Sequence, residues 1–462
     1  MKIIISLLTL LLYILPVYSA SINVPGSFNS IQEAIDAASG GDTIIVSPGT
    51  YYENINFRGK SIFLTSMFYM ASDTGYISAT VINGSNPSNP DTGSCVIFNS
   101  YEDSTAVLQG FTITGGTGTI WDDIHGAGLY REGGGVLIEL SSPTIRNNII
   151  TGNIVTNLSG VISSGGGGIR VGDGNPWIVN NVIINNEARY GAGIVLNYTG
   201  CIIRNNIIAS NTGGQDFYGG SAIWITSNLP ATPKIIENNT IVNNTAAASN
   251  GTGGIFVSTA SSVFMKNNIV YGNSPVIQIK TISSTPQVSY SNVQGGFNGT
   301  GNIDQDPLFS GAGHFLQTSS LCVDAGDTDQ IYNDLESTSV PGQAQPPSLG
   351  TLRNDMGAYG GPYAFLLPQV ISGISNQELF SDKPIAIYPN PAVSEIFIDA
   401  EIDLMNTIYT IYDSEGRLIK SDVIRARNNI SIQTSTLVPG NYYLTIQKNN
   451  KIVTSERLVI SR

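Results

Sequence analysis

Between residues 121 and 132 the chain gathers Trp121, Asp122, Asp123, His125, Tyr130, Arg131 and Glu132, its densest run of groups able to move protons or hold a polar ligand. Paired carboxylates can cleave a glycosidic bond, one protonating the leaving oxygen and the other serving as base or nucleophile. Asp122, Asp123 and His125 are therefore the first catalytic candidates. Adjacent aspartates in a long loop are as readily just solvated, however, and His125 can equally anchor that loop. Two later stretches carry Glu187, Arg189 and Tyr190, then Asp216, Phe217 and Tyr218. Whether these groups meet depends on the elements that carry them.

The 462 residues are 41% hydrophobic, enough for a large core and for two or three domains. Only 12% are charged, against about 25% in ordinary globular chains, and 51 are Gly. Such a chain is poor in helix. A net charge of -13 disfavours nucleic acid and anionic lipid as partners, and a polyanionic substrate would need a bridging cation. Met1 and Lys2 precede an apolar run from Ile3 to Ile14, with small residues at Ser19 and Ala20, so 1–19 reads as a signal peptide; an uncleaved anchor is the alternative. No later segment is long and apolar enough to span a bilayer, so the mature chain is expected to lack a transmembrane segment. Cys95, Cys201 and Cys322, odd in number and far apart, read as buried free thiols.

The centre of the chain repeats itself. Thr144-Ile145-Arg146-Asn147-Asn148-Ile149-Ile150 returns as Ile178-Val179-Asn180-Asn181-Val182, Ile203-Arg204-Asn205-Asn206-Ile207, Ile236-Glu237-Asn238-Asn239-Thr240 and Met265-Lys266-Asn267-Asn268-Ile269. The second Asn of each pair, Asn148, Asn181, Asn206, Asn239 and Asn268, recurs at intervals of 33, 25, 33 and 29 residues, and another Asn follows five residues later in every copy. Each copy also has a Gly-started strand, such as Gly191-Ala192-Gly193-Ile194-Val195-Leu196. Short β-branched strands separated by Asn or Gly cannot bury a face alone. Wound into coils they stack at ~4.8 Å and close an apolar interior, with Asn at the corners because it tolerates the left-handed backbone and can bond to the Asn one coil away. The expected fold is all-β: a right-handed parallel β-helix, its unequal repeat lengths absorbed in loops. Ser30 and Glu33 form a capping-box pattern ahead of Ile31, Ala34, Ile35 and Ala38, predicting a helix that plugs the first coil.

This helix, the following Thr43-Ile44-Ile45-Val46, the Pro48-Gly49-Thr50-Tyr51 turn and the Asn-ladder coils resemble the pectate-lyase-like superfamily of secreted β-helices. The segments Asp304-Gln305-Asp306-Pro307, Asp324-Ala325-Gly326-Asp327 and Asn354-Asp355-Met356-Gly357-Ala358 resemble the closing segment of bacterial surface β-helices, a structural terminus in that group. Calcium held by Asp324, Asp327 and Asp355 is the functional alternative, with hard oxygen ligands but no tight spacing. We therefore expect a β-helix over 20–365 and a linker over 366–382. Alternating strands over 395–399, 407–412, 417–424, 429–433, 441–448 and 451–460 predict a small β-sandwich over 383–462. Tyr388-Pro389-Asn390-Pro391, Leu437-Val438-Pro439-Gly440-Asn441-Tyr442 and the terminal position resemble the C-terminal sorting domain of type IX secretion. That resemblance implies the type IX machinery as a partner, and a secreted or outer-surface location.

Period-two alternation turns one residue of each Gly-started strand outward: Leu137, Arg170, Val195, Trp224, Phe256 and, in the last copy, Gln278. Trp224 and Phe256, one coil apart, would form a platform for a sugar face, unless a loop folds over them. The candidate binding groups are then Trp121, Arg131, Glu132, Glu187, Arg189, Tyr190, Asp216, Tyr218, Trp224 and Phe256, lining a groove on this sheet that takes polysaccharide. The superfamily resemblance implies a lyase chemistry in which an Arg or Lys removes a proton beside a uronate carboxyl neutralised by calcium. Arg170 is the basic residue on the column, so it joins Asp122, Asp123 and His125 as a catalytic candidate. Against a lyase, residues 20–374 hold 11 basic and 24 acidic residues. A polysaccharide lyase, a glycoside hydrolase, a non-catalytic adhesin and a structural stalk all remain open.

Overall fold

The computed structural model describes residues 19–367, apart from 72, 227–231, 261, 312, 338–339 and 365–366. It also describes 386–388, 392–399, 404–405, 407–413, 418–425, 430–448 and 451–460. The signal segment and the linker lie outside these residues but for Ser19 and Leu367, as do Pro389, Asn390 and Pro391.

Among the described residues, three long parallel sheets form the walls of a solenoid. The first has ten strands, Ser21–Val24 through Gln287–Ser289; the second nine, Gly49–Tyr51 through Asn292–Val293; the third eight, Ile55–Asn56 through Ile279–Ile282. Alternation explains the core. Ile145, Ile178, Ile203 and Ile236 stack in register from the first wall, Ile150, Ile183, Ile208 and Ile241 from the second, and all are fully buried. Helix α1 (Ile31–Ala37) closes the N-terminal end. Ser30 Oγ accepts from the Glu33 N–H at 3.2 Å, the Glu33 carboxylate accepts from the Ser30 N–H at 3.3 Å, and Ile31, Ala34 and Ile35 are buried on the first coil.

The corner between the first two walls explains the Asn pairs. The first Asn of each, Asn147, Asn180, Asn205, Asn238 and Asn267, takes φ of 52–56°, the left-handed conformation Asn tolerates. The second turns inward. Asn148 Nδ2 donates to Asn181 Oδ1 at 3.1 Å, Asn181 to Asn206 at 3.1 Å, Asn206 to Asn239 at 3.0 Å and Asn239 to Asn268 at 3.0 Å, all buried. Each of these amides also holds backbone carbonyls, as Asn206 does with Ile178 and Arg204, so no buried donor is stranded. Asn153, Asn186, Asn211, Asn244 and Asn273 form a second such ladder.

The ladders end on different residues. Ser291 Oγ receives the Asn268 N–H at 3.1 Å, and Gln278 Oε1 receives Asn273 Nδ2 at 2.8 Å. Gln278 is therefore a buried ladder terminator, and Lys280 takes the outward place in register with Phe256. The expectation for Gln278 is corrected because the last coil is short, which slips its third strand by two residues. Beyond residue 320 the chain turns back along the outside of the first-Asn file. Gly357 N–H donates to the Asn267 carbonyl at 2.7 Å, while Asn238 Nδ2 reaches the Asp355 carbonyl at 3.0 Å, Asn205 Nδ2 the Gly360 carbonyl at 2.7 Å and Asn180 Nδ2 the Tyr363 carbonyl at 2.7 Å. The closing segment is an external strap.

In the C-terminal region, Ala386–Tyr388, Glu395–Asp399 and Ile430–Gln433 form one antiparallel sheet; Leu418–Val423, Ile408–Asp413, Gly440–Lys448 and Lys451–Ile460 form another. Ile396, Ile432, Ile411 and Leu444 from both belong to one buried cluster.

Candidate functional site

The stretch holding the first catalytic candidates is a β-hairpin rather than a loop: Gly118–Asp123 pairs antiparallel with Gly128–Glu132, placing Trp121 opposite Tyr130 and Asp123 opposite Gly128. It lies over the outward face of the third sheet. Beneath it Arg170 is fully buried, with 0% exposure. Its Nε donates to Glu132 Oε2 at 3.0 Å, Nη1 pairs with Glu139, and the guanidinium sits 3.7 Å from the Trp121 ring centroid. Glu132 also accepts from Trp121 Nε1 at 2.8 Å and from the Tyr190 hydroxyl. Burial pulls the Arg170 pKa down while Glu132 opposes it, and burial beside Glu132 pushes the Tyr190 phenol well up. The alternation that turns Arg170 out of the core delivers it to a second, polar interior, so a base on the open column is not what it forms.

The remaining hairpin groups act as anchors. Asp123 is buried and accepts the His125 N–H at 2.7 Å; His125 Nε2 lies 2.8 Å from Asp173 Oδ1, and its ring packs 3.8 Å from Tyr198. Arg131 is buried, holding the carbonyls of Thr117 and Pro90 at 2.7 Å each. Asp122 is exposed at the hairpin edge. The two carboxylates that the sequence sets side by side thus face opposite environments, as adjacent strand residues must.

The structure does bring the later loops together. Arg189 holds Asp216 in a two-pronged ion pair at 2.6 Å on each arm, Ser163 Oγ donates to the same carboxylate, and these bonds keep Asp216 below the usual carboxylate range. Glu187 lies exposed on a neighbouring strand. The pinned Asp216 begins a loop whose next residues, Phe217 and Tyr218, take φ of 47° and 63° and are 41% and 40% exposed. Tyr218 stacks on Phe256 with centroids 5.6 Å apart, and Trp224 stacks on Phe256 at 6.3 Å. Tyr190 packs edge-on to Trp224 at 5.0 Å, and the Trp224 indole donates to the Phe217 carbonyl at 3.3 Å. Phe256, expected as open platform, is only 2% exposed, because the loop folds over it. The accessible aromatic surface has moved one layer outward, to Phe217 and Tyr218 around the half-buried Trp224. Lys280, which sequence reasoning missed, places its ammonium 5.0 Å from the Tyr218 ring centroid. Only the irregular length of its coil could have signalled it.

Among the described residues no group of three or more His, Cys, Asp or Glu could hold a metal ion. Asp327 pairs with Lys266 at 2.7 Å, Asp324 accepts from Thr351, and Asp355 accepts the N–H groups of Asp324 and Leu349 at 2.8 Å. Their oxygens are engaged by protein donors. Cys95, Cys201 and Cys322 are buried and free.

Comparison with known proteins adds the family. The pattern described as right handed beta helix region matches residues 50–294. The chain belongs to the right-handed β-helix family. A second family, the secretion system C-terminal sorting domain, matches residues 386–461 of this β-helix protein. It is therefore an exported protein, delivered by the type IX machinery to the cell surface or beyond it. Among solved structures it is similar to the crystal structure of pectate lyase Pel9A, with 13% identity, a TM-score of 0.33, and coverage of 74% of this chain and 95% of that one. No curated protein matches it. No helix among the described residues is long and apolar enough to cross a membrane.

Proposed function

We propose that this exported β-helix protein binds polysaccharide, without cleaving it, on the aromatic shelf of its third sheet. The shelf carries the reading: two consecutive aromatic residues, Phe217 and Tyr218, are held out to solvent in the left-handed conformation and backed by Trp224 and Phe256. That backbone is costly for bulky side chains, about 1–3 kcal/mol each, and such strain concentrates at ligand clamps. Flat aromatic faces present a large apolar surface at small entropic cost, and suit the CH-rich face of a sugar. Binding is favoured over turnover because Arg170 and Glu132 are spent on one another beneath the hairpin, where no glycan reaches.

Affinity electrophoresis of the mature chain through gels containing soluble polysaccharides tests the proposal. Tyr218→Ala and Trp224→Ala should each weaken retardation tenfold or more in at least one glycan, and neither reducing ends nor unsaturated uronates should accumulate. Product release by the wild type, or unchanged retardation of both variants, would overturn it.

A further inference from the structure

The first sheet carries a second surface that the shelf does not use. Pairing sets Trp177, Ile202, Ile235 and Phe264 in direct register on successive coils. All four project away from the core, whose own column there is Ile178, Ile203, Ile236 and Met265. Trp177 is 48% and Phe264 38% exposed, and the two isoleucines between them are partly so. The result is a straight apolar track one residue wide, aromatic at both ends. Three strand spacings of ~4.8 Å put those ends ~14 Å apart on a wall with little freedom to adjust.

The occupant follows from size and charge. A half-exposed Trp, a Phe and two Ile side chains offer on the order of 200–300 Å², well short of the roughly 800 Å² per partner that a stable protein interface needs. A narrow linear ligand fits; a second copy does not. The column alongside brings no unpaired charge from Arg204, Glu237 or Lys266: Arg204 pairs with Glu237 at 2.8 Å and Lys266 with Asp327 at 2.7 Å. With a net charge of -13 the protein also repels polyanions. We propose that this face is a second polysaccharide track, on which an uncharged, extended β-linked glycan lies along the solenoid axis. Its sugar faces stack on Trp177 and Phe264, and the rings between rest on Ile202 and Ile235. The rise of such a chain per sugar is close to the strand spacing, so each ring meets one coil.

The track stands independently of the shelf, and the experiment separates them. In the mature full chain carrying Tyr218→Ala and Trp224→Ala, affinity electrophoresis is run in hydroxyethylcellulose, β-1,4-mannan and polygalacturonate. Retardation by at least one neutral polymer is expected, weakened tenfold or more by Trp177→Ala, by Phe264→Ala and by Ile235→Arg, with thermal unfolding midpoints unchanged for the two exposed aromatic positions. Three results would each overturn the proposal: no retardation by either neutral polymer in that background, retardation that survives both aromatic truncations, or a wild-type dimer in sedimentation equilibrium that Trp177→Ala dissociates.

Discussion

Arg170 shows how far one side chain's role depends on what lies over it. Strand alternation turns it away from the apolar core, where an exposed base could act on substrate, yet the 118–132 hairpin closes over it and Glu132, Glu139 and Trp121 take up its guanidinium. A buried ion network of this kind adds little over an apolar core, but removing one member strands the others. Arg170→Ala should therefore lower unfolding stability by about 3–5 kcal/mol, read from the denaturant midpoint, while glycan affinity at the shelf stays within twofold below the transition. A catalytic arginine would behave the opposite way, losing turnover at constant midpoint. The Asn pairs are the reverse case: their role was legible, because a left-handed corner and an inward amide one residue later are both local demands. The hairpin was not legible, because its partner strands at 92–93 and 164–165 come from neighbouring coils.

Among the elements, the strap is the one whose strength should depend on pH. Burial and the neighbouring Asp355 charge push the Asp334 carboxyl up to about 8, and burial pushes Asp355 up to about 7, both from an ordinary 3.8. The folded strap thus keeps protons that the unfolded chain releases. Its stabilisation is complete below about pH 4 and is lost progressively as pH rises through 7 to 8. Hydrogen-exchange protection in 322–361, taken relative to the base-catalysed intrinsic rate, should fall between pH 5 and pH 9, and Asp334→Asn should flatten that fall by removing the group with the highest pKa. Strap protection factors that hold steady or rise with pH over that range would contradict the assignment. The resemblance to closing segments of other β-helices implied a structural terminus here; that the stretch runs back along Asn267, Asn238, Asn205 and Asn180 emerged only once the coils were stacked.

At the scale of the molecule, the export signal and the proposed binding surfaces lie in different stretches of chain. Deleting 386–461 should hold the protein inside the cell envelope, whereas fusing 383–462 to a carrier with a signal peptide should bring that carrier to the surface or the medium; fractionation with surface proteolysis distinguishes the two. Surface delivery of the truncated chain would assign the address to another segment.

The β-helix, its capping helix, the Asn ladders and the sorting domain followed from the sequence by itself, since each rests on a local conformational preference repeated in register or on a motif of fixed order. Which polar and aromatic side chains stay accessible did not. Phe256 and Arg170 occupy the outward positions that alternation assigns them and are buried nonetheless, while Trp177 and Phe264, on another wall, remain open. Repeats dictate how coils stack, but accessibility is set by the loops of unequal length that fold over a wall, and their conformation depends on contacts between coils distant in sequence.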